Sequence, residues 1–333
     1  MEIIFEYNNI PNEILGIMNV SNVFYSKEYN NYITSIGNKV WYICDENYVI
    51  AVTIYQKIHI KYAIFPSEPI KLKDIENTNK KDFLDKTSYI LKKNGVAWVN
   101  TSAAAFFDTY PTNSRRIPFG SHVINLTCSE DELWKNIHSK HRNSIRRAEK
   151  GGIYVKKGGA ELISDYHILD EATWRRSKRK SYGIDFFKKL SSGMGKNIIF
   201  YIAYKDEIPQ AGACFFVNQV MSYYMYGASC DSPEPGATNF LHWEAIKNLK
   251  KEGVQRYSFV GCRIGEDENS KYHTIQRFKE RFGGELIQGY MFKDILIPWK
   301  YNLFVNLYKL KHKDKYTDAV DQEIDKWKEL NNK

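Results

Sequence analysis

The feature that most narrows the fold is a set of three β-rich runs with almost nothing between them. Ile198–Tyr204 (IIFYIAY), Ala211–Val217 (AGACFFV) and Val220–Tyr226 (VMSYYMY) are joined by short polar turns. Such connections suit antiparallel neighbours, since a parallel return needs a crossover of about a dozen residues or more. Asn218-Gln219 has the length of a hairpin turn, although neither residue is the best for a tight primed one. A loop with two prolines follows at Asp231–Gly236. Thr238 or Asn239 can then cap a helix to about Glu252, with Leu241, Ala245 and Leu249 on one face and Gly253 as the stop. Arg256–Val260 reads as a strand, His273–Phe282 as a helix ended by Gly283-Gly284, and Tyr290–Ile297 as a last strand. The strands flanking the first helix should run parallel through a right-handed crossover.

The N-terminal half repeats this plan. Lys39–Cys44, Tyr48–Gln56 and Ile58–Phe65 read as strands, Lys80–Asn94 as an amphipathic helix and Val96–Asn100 as a strand. The segment Leu91–Val96 (LKKNGV) matches Leu249–Val254 (LKKEGV) at all but one place, each at a helix-to-strand junction. A common glycine stop would explain that echo; duplication explains it together with the element order. A length of 333 residues then holds one α/β plan used twice. Between the halves, Ser129 and Glu132 form a capping box that opens a helix closed by Gly151-Gly152. Trp134, Ile137, His141, Ile145 and Ala148 make its buried stripe, and Lys135, Arg142, Arg146 and Lys150 another face. From Trp299 the tail reads as helix, with Lys309, Lys311, Lys313 and Lys315 near its middle.

Charge narrows the partners. Forty-eight Lys and Arg against 39 Asp and Glu leave +9, which suits nucleic acid, a phosphorylated substrate or a membrane surface. Six of the cations, against one Glu, fall in residues 135–150, where Arg142 and Arg146 make either a solvated face or an anion platform. Five more occupy residues 175–180, including Arg176, and repel one another unless an anion compensates them. The five cysteines form no CxxC pair, which is cytosolic usage. Glu2 and Glu6 stand where a secretory leader would be basic, and no stretch reaches the ~20 apolar residues of a membrane span. A soluble, cytoplasmic protein is expected, working in the cytosol or at the inner face of the membrane.

Covalent and metal chemistry find little support. The chain has no GxSxG, HExxH or P-loop, and no third glycine completes a GxGxxG after Gly193 and Gly195. His138 and His141 are close in sequence but lack acidic or Cys partners at metal-site spacing, so no metal is expected. Positioning and electrostatics remain, which suits transfer from an activated donor to an amine. In Tyr223–Ser229 (YYMYGAS), alternation puts Tyr224 and Tyr226 on one face, either as a packed sheet surface or as the wall of a cleft.

Taken together, these segments resemble the FemABX family, the peptidoglycan bridge-forming aminoacyltransferases, and their FemAB-like acyltransferase relatives. The resemblance rests on residues 133–155 (LWKNIHSKHRNSIRRAEKGGIYV), the T-x-x-R of Thr173 to Arg176, and residues 223–229. It continues through residues 239–261 and 275–286 (IQRFKERFGGEL), and spans about 120–300 in order and spacing. It implies two tandem GNAT-like domains with mixed sheets flanked by helices. The expected boundaries are 1–128, a connecting basic helix 129–152, a second domain 153–298 carrying the active site, and a C-terminal helix 299–333 packing back on the first domain. It implies acyl or aminoacyl transfer from acyl-CoA or aminoacyl-tRNA to an amine of a phosphorylated cell-envelope precursor. By the same resemblance Lys279 and Tyr226 are catalytic, with Lys279 stabilising an oxyanion. Arg176, Tyr224 and Phe278, with Arg142 and Arg146 from the basic helix, would bind the acceptor. Gly236, Ala237, Thr238 and Asn239 would meet the donor's phosphates at a helix N-terminus. No heptad-patterned arm interrupts the second domain, which weakens the case for tRNA and leaves a strictly acyl-CoA-dependent enzyme of surface-polysaccharide synthesis as an alternative. A non-enzymatic RNA- or membrane-surface-binding protein is the third class; no RNA-recognition signature accompanies it, and no DNA contact is expected.

Overall fold

The computed structural model describes residues 1–74, 79–264, 271–312 and 316–331. Its chain divides into one unit of residues 1–121, 261–273 and 287–333 and another of residues 122–260 and 274–286. Residues 129–152 belong to the second unit, and 261–273 and 287–298 to the first.

The first unit opens with β1 (Glu2–Ile4), α1 (Asn12–Ser21), α2 (Lys27–Ser35), β2 (Lys39–Cys44), β3 (Tyr48–Lys57), β4 (Ile60–Phe65), β5 (Ile70–Lys71), α3 (Lys80–Lys93), β6 (Val96–Thr101) and the start of β7 (Arg115–Asn125). β1 to β4 pair antiparallel, and β6 runs parallel to β4 after α3. Ile58 was expected in the strand, but Ile58 and His59 have φ of 52° and 60° and make the two-residue turn between β3 and β4. α3 buries Phe83, Leu84 and Leu91 against Ile50, Val52, Phe65 and Val99.

The second unit contains α4 (Glu130–Asn136), α5 (Ser139–Lys150), β8 (Tyr154–Gly158), α6 (Ile163–Arg176), α7 (Ile184–Met194), β9 (Ile198–Lys205), β10 (Ile208–Val217), β11 (Met221–Ser229), α8 (Ala237–Lys251), β12 (Arg256–Ser258) and, from Thr274, the rest of α9 (Lys271–Glu280). Its strands lie in the order β7 (from Val123), β12, β11, β10, β9, β8, and among them only β11 and β12 are parallel. Tyr201, Ala213 and Phe215 face a core shared with α5 and α8. On the other side Tyr166 and Leu169 of α6 press against Gly212, and Tyr166 packs edge-on to Phe200 and Phe187. The sequence echo is a shared stop: Gly95 and Gly253 adopt φ of 81° and 83°, and each amide bonds a carbonyl three residues back.

Two expectations fail locally. The single helix from Ser129 to Gly151 is two, because Ile137 and His138 are extended (ψ 129° and 141°). His138 Nδ1 caps α5 by accepting from the Lys140 amide at 3.2 Å, and its own amide donates to the Arg281 carbonyl at 2.8 Å. α8 is capped by neither Thr238 nor Asn239; it starts at Ala237 behind Gly236, whose φ is +89°. A Cβ at Gly236 would lie 2.2 Å from the Ser144 carbonyl oxygen, so glycine is what lets α8 approach α5.

The first unit closes with β13 (Cys262–Arg263), β14 (Glu285–Ile295, from Ile287), α10 (Pro298–Lys311) and α11 (Ala319–Asn331). β13 pairs with β7 at Gly120 and Phe119, and β14 pairs with β6 from Asn100 to Trp98. The last strand thus begins five residues before the expected Tyr290. Tyr301 and Phe304 of α10 pack on Ile60, Ala97 and Trp98. α11 is held electrostatically: the fully buried Lys293 ammonium lies 2.7 Å from Asp318 and 2.5 Å from Asp321, and Arg263 pairs with Glu323. Lys313 and Lys315 lie outside the described residues. Among those residues no helix is long and apolar enough to cross a membrane.

Candidate active site

The site begins where a parallel pair comes apart. β11 and β12 pair at Met221↔Arg256, Ser222↔Tyr257 and Tyr223↔Ser258, and no further. At that point β11 also slips against β10: Tyr224 stands opposite Phe215 and Tyr226 opposite Cys214, with Met225 as the extra residue. This β-bulge inverts the alternation, so Tyr224 and Tyr226 do not share a face as expected. Beyond Tyr223 no described strand pairs with the β12 side of β11.

Tyr224 faces α8. Its ring meets the His242 ring at 4.6 Å and 87°, and lies 5.5 Å from Phe215. A Cβ at Gly227 would fall 1.8 Å from the Tyr224 hydroxyl, so that glycine makes room for it. His242 is fully buried, and its Nδ1 is 2.6 Å from the Tyr257 hydroxyl. Burial, with smaller contributions from His141 and Lys279, pushes His242 down to about 3, so it is neutral in neutral solution. Burial pushes the Tyr224 hydroxyl up, leaving it a donor rather than a base.

α9 closes the other wall. Phe278 sits between His141 and His242, at ring distances of 5.1 and 5.6 Å, and His141 Nε2 is 3.0 Å from the Phe278 carbonyl. The neighbouring Lys279 ammonium donates to the Val260 carbonyl. Val260 itself is a β-branched residue at φ +38°, a conformation costing on the order of 1–3 kcal/mol that concentrates at functional positions. Lys279, Phe278 and Tyr224 are thus gathered around His242 at the opening between β11 and β12.

The loop from β11 to α8 is clamped by α6. Thr173 Oγ1 accepts from the Ser229 amide at 2.8 Å and donates to its carbonyl at 3.1 Å. Arg176 donates to the Ser229 and Cys230 carbonyls (3.0 and 2.7 Å), the Ser229 hydroxyl (2.8 Å) and Asp231 (3.2 Å). Arg175 reaches Asp231 at 2.5 Å, so this carboxylate is the anion that compensates the first two cations of the 175–180 run. Lys178, Arg179 and Lys180 stay exposed. The loop runs on to Gly236, where the Ala237 amide bonds Glu234 and the Thr238 and Asn239 side chains are half-buried. The bonds to Ser229 and Cys230 tie Arg176 to the loop. Arg176→Ala should speed hydrogen exchange of the Ser229–Asp231 amides at least tenfold, read by mass spectrometry, while β9 and β10 stay protected.

The remaining sequence candidates lie elsewhere. Tyr226 packs with Tyr182, Phe186 and Phe187 at 5.4, 5.7 and 6.0 Å on the α6–α7 side. Arg142 is committed to the end of α4, donating to the Lys135 carbonyl at 2.9 Å and to that of Ile137. Arg146 is exposed and stacks 5.3 Å above Trp134, which in turn meets Trp243 at 5.0 Å. His242, Tyr257 and Val260 escaped the sequence reading. The one available signal was a histidine next to Leu241 on the buried stripe of α8. Among the described residues no group of three or more His, Cys, Asp or Glu is placed to hold a metal ion.

A sequence model of the FemAB family matches residues 104–206 and 203–309. No curated protein matches. Among solved structures, that of FemX is similar at a TM-score of 0.69 and 14% identity, over 91% of this chain and 99% of that one. L-PGS from Bacillus licheniformis gives 0.58 and 11%, over 89% and 96%. A tandem GNAT protein from the clavulanic acid biosynthesis pathway gives 0.51 and 8%, over 89% and 98%. At such identities the likeness is one of fold: mixed α/β, with GNAT-like domains in tandem.

Proposed function

Because the chain belongs to the FemAB family, we propose that it transfers an acyl or aminoacyl group to an amine of a cell-envelope precursor, in the opening between β11 and β12. The observation that carries this reading is the bulge at Met225, set where the parallel strands part. An unpaired strand edge accepts an extended ligand with amide groups of its own. The edge beyond Tyr223 therefore suits the amide-bearing arm of an acyl-CoA, its phosphates lying toward the amides at the start of α8. An aminoacyl-tRNA would place its 3′ end in the same opening.

Attack of the amine on the donor carbonyl makes a tetrahedral oxyanion, which the Lys279 ammonium stabilises. Its collapse breaks the carbonyl–sulfur bond of an acyl-CoA, or the ester bond of an aminoacyl-tRNA, and releases CoA or the tRNA 3′-terminal hydroxyl. The Tyr224 hydroxyl is a second donor. The attacking amine must lose a proton, and neither His242 nor Tyr224 is poised to take it. Water or the substrate itself is then the acceptor of that proton. Tyr226, with Tyr182 and Phe186, would border the acceptor, a peptidoglycan stem peptide or a nucleotide- or lipid-linked sugar.

The test is a matrix of acyl-CoA and aminoacyl-tRNA donors against amine-bearing precursors, read as a mass gain on the acceptor. A mass gain with acyl-CoA, together with a higher melting temperature in its presence, selects the CoA-dependent form. Absence of donor-dependent gain on every acceptor, with protein shown to be folded, sinks the proposal.

A further inference from the structure

α10 has two apolar faces. Tyr301, Phe304 and Tyr308 turn inward to the cluster around Trp98, Ile60 and Tyr62. On the opposite side Trp299, Leu303, Leu307 and Leu310 follow at spacings of four, four and three, which is one stripe along the helix. Trp299, Leu303 and Leu310 are 65%, 45% and 85% exposed, and Leu307 is half-buried. Other strongly exposed apolar side chains of this unit, such as Val20, Ile58 and Tyr89, stand singly on separate elements. Only a stripe implies a partner, because scattered exposed apolar residues are ordinary.

The charges beside the stripe identify the partner. α10 carries Lys300, Lys309 and Lys311 and no acidic residue. The Lys300 ammonium lies 5.5 Å from the Trp299 ring centroid, and Lys309 and Lys311 are exposed. Tryptophan and leucines on one line with lysines alongside are the chemistry of a helix that lies in a lipid–water interface, its aromatic ring at headgroup depth and its ammonium groups on anionic headgroups. A second copy of this chain fits less well. Facing helices would oppose like charges, and four side chains cover far less than the ~800 Å² per partner of a stable dimer.

We infer that the outer face of α10 is a docking surface for an anionic membrane, with Trp299, Leu303, Leu307 and Leu310 as the inserted edge and Lys300, Lys309 and Lys311 as the headgroup contacts. The helix lies on the bilayer and does not span it.

The full chain should cosediment with vesicles of phosphatidylcholine containing phosphatidylglycerol, and at least tenfold more weakly with phosphatidylcholine alone. About 0.5 M salt should remove most of that difference. Leu303→Glu with Leu310→Glu should cut partition at least tenfold, as should Lys309→Glu with Lys311→Glu. All four positions are exposed, so the melting temperature should stay unchanged. These vesicles contain no acceptor, so the result is separate from the transfer chemistry. Equal sedimentation of wild type and Leu303→Glu/Leu310→Glu overturns the inference. So does a concentration-dependent dimer in the ultracentrifuge that this same pair of substitutions dissolves, or retention by RNA in place of lipid.

Discussion

Lys279→Ala should lower kcat for acyl transfer about 10²–10³-fold, the usual cost of losing one preorganised oxyanion donor. KM for the donor should move little, because the ammonium acts on charge that appears only in the transition state. The expectation depends on how Lys279 is held. Its amine is tethered to the Val260 carbonyl, and Phe278 beside it is fixed by the ring and carbonyl contacts of His141. The group is therefore aimed before substrate arrives. Steady-state kinetics on the purified variant decide the matter, with Lys279→Arg expected to recover part of the loss. Unchanged turnover in folded Lys279→Ala would remove the lysine from the mechanism.

Lys293→Met should cost about 3–5 kcal/mol at neutral pH, the range for removing one partner from a buried ion pair. Its side chain is wholly buried, and the substitution leaves Asp318 and Asp321 without their buried cation, with Arg115 still 3.4 Å from Asp321. The pH dependence has a definite sign. Burial pushes the Asp321 carboxyl up, but the charge and hydrogen bond of Lys293, with the Tyr301 hydroxyl and Arg115, outweigh it and hold the group below the ordinary carboxylate range. A carboxylate depressed on folding adds stability above its unfolded value near ~3.9 and loses it as pH falls through the folded one. Urea midpoints for wild type and variant should thus differ widely at pH ~7 and converge below pH ~4. Adding Asp318→Asn and Asp321→Asn to Lys293→Met should restore much of the loss. A gap that does not narrow in acid would mean that the lysine acts through packing alone.

Periodicity carried the fold because the sheets are built from ordinary alternation. Strands β2, β3, β9 and β10, helix α3 and the stripe Leu241, Ala245, Leu249 were readable, since burial repeats at the period of the element. Reading failed where one residue departs from its neighbours for a tertiary reason. Ile58 and His59 turn left-handed without being turn formers, and His138 interrupts a helix by capping the next one. Gly236 replaced the expected polar caps because α5 leaves no space for a side chain. In the site, Phe278 and Lys279 were marked only by the family resemblance and Tyr224 only as part of an aromatic run, whereas His242 could not be told from a core residue. Arg142 and Arg176 were marked by charge, yet charge does not say whether a guanidinium meets a ligand or a carbonyl of its own chain. In this structure Arg142 donates to carbonyls of its own chain, and Arg176 to carbonyls, the Ser229 hydroxyl and Asp231.

One inserted residue has a consequence for how such a strand can diverge. In a regular strand without this bulge, Tyr224 and Tyr226 would point the same way and any change to one would disturb its neighbour. With it, β11 becomes a partition: Tyr224 belongs to a room furnished by α8 and α9, and Tyr226 to one furnished by α6 and α7. Substitutions on one side can then remodel what that room admits while the other keeps its shape. Two specificities carried on one strand become separately evolvable.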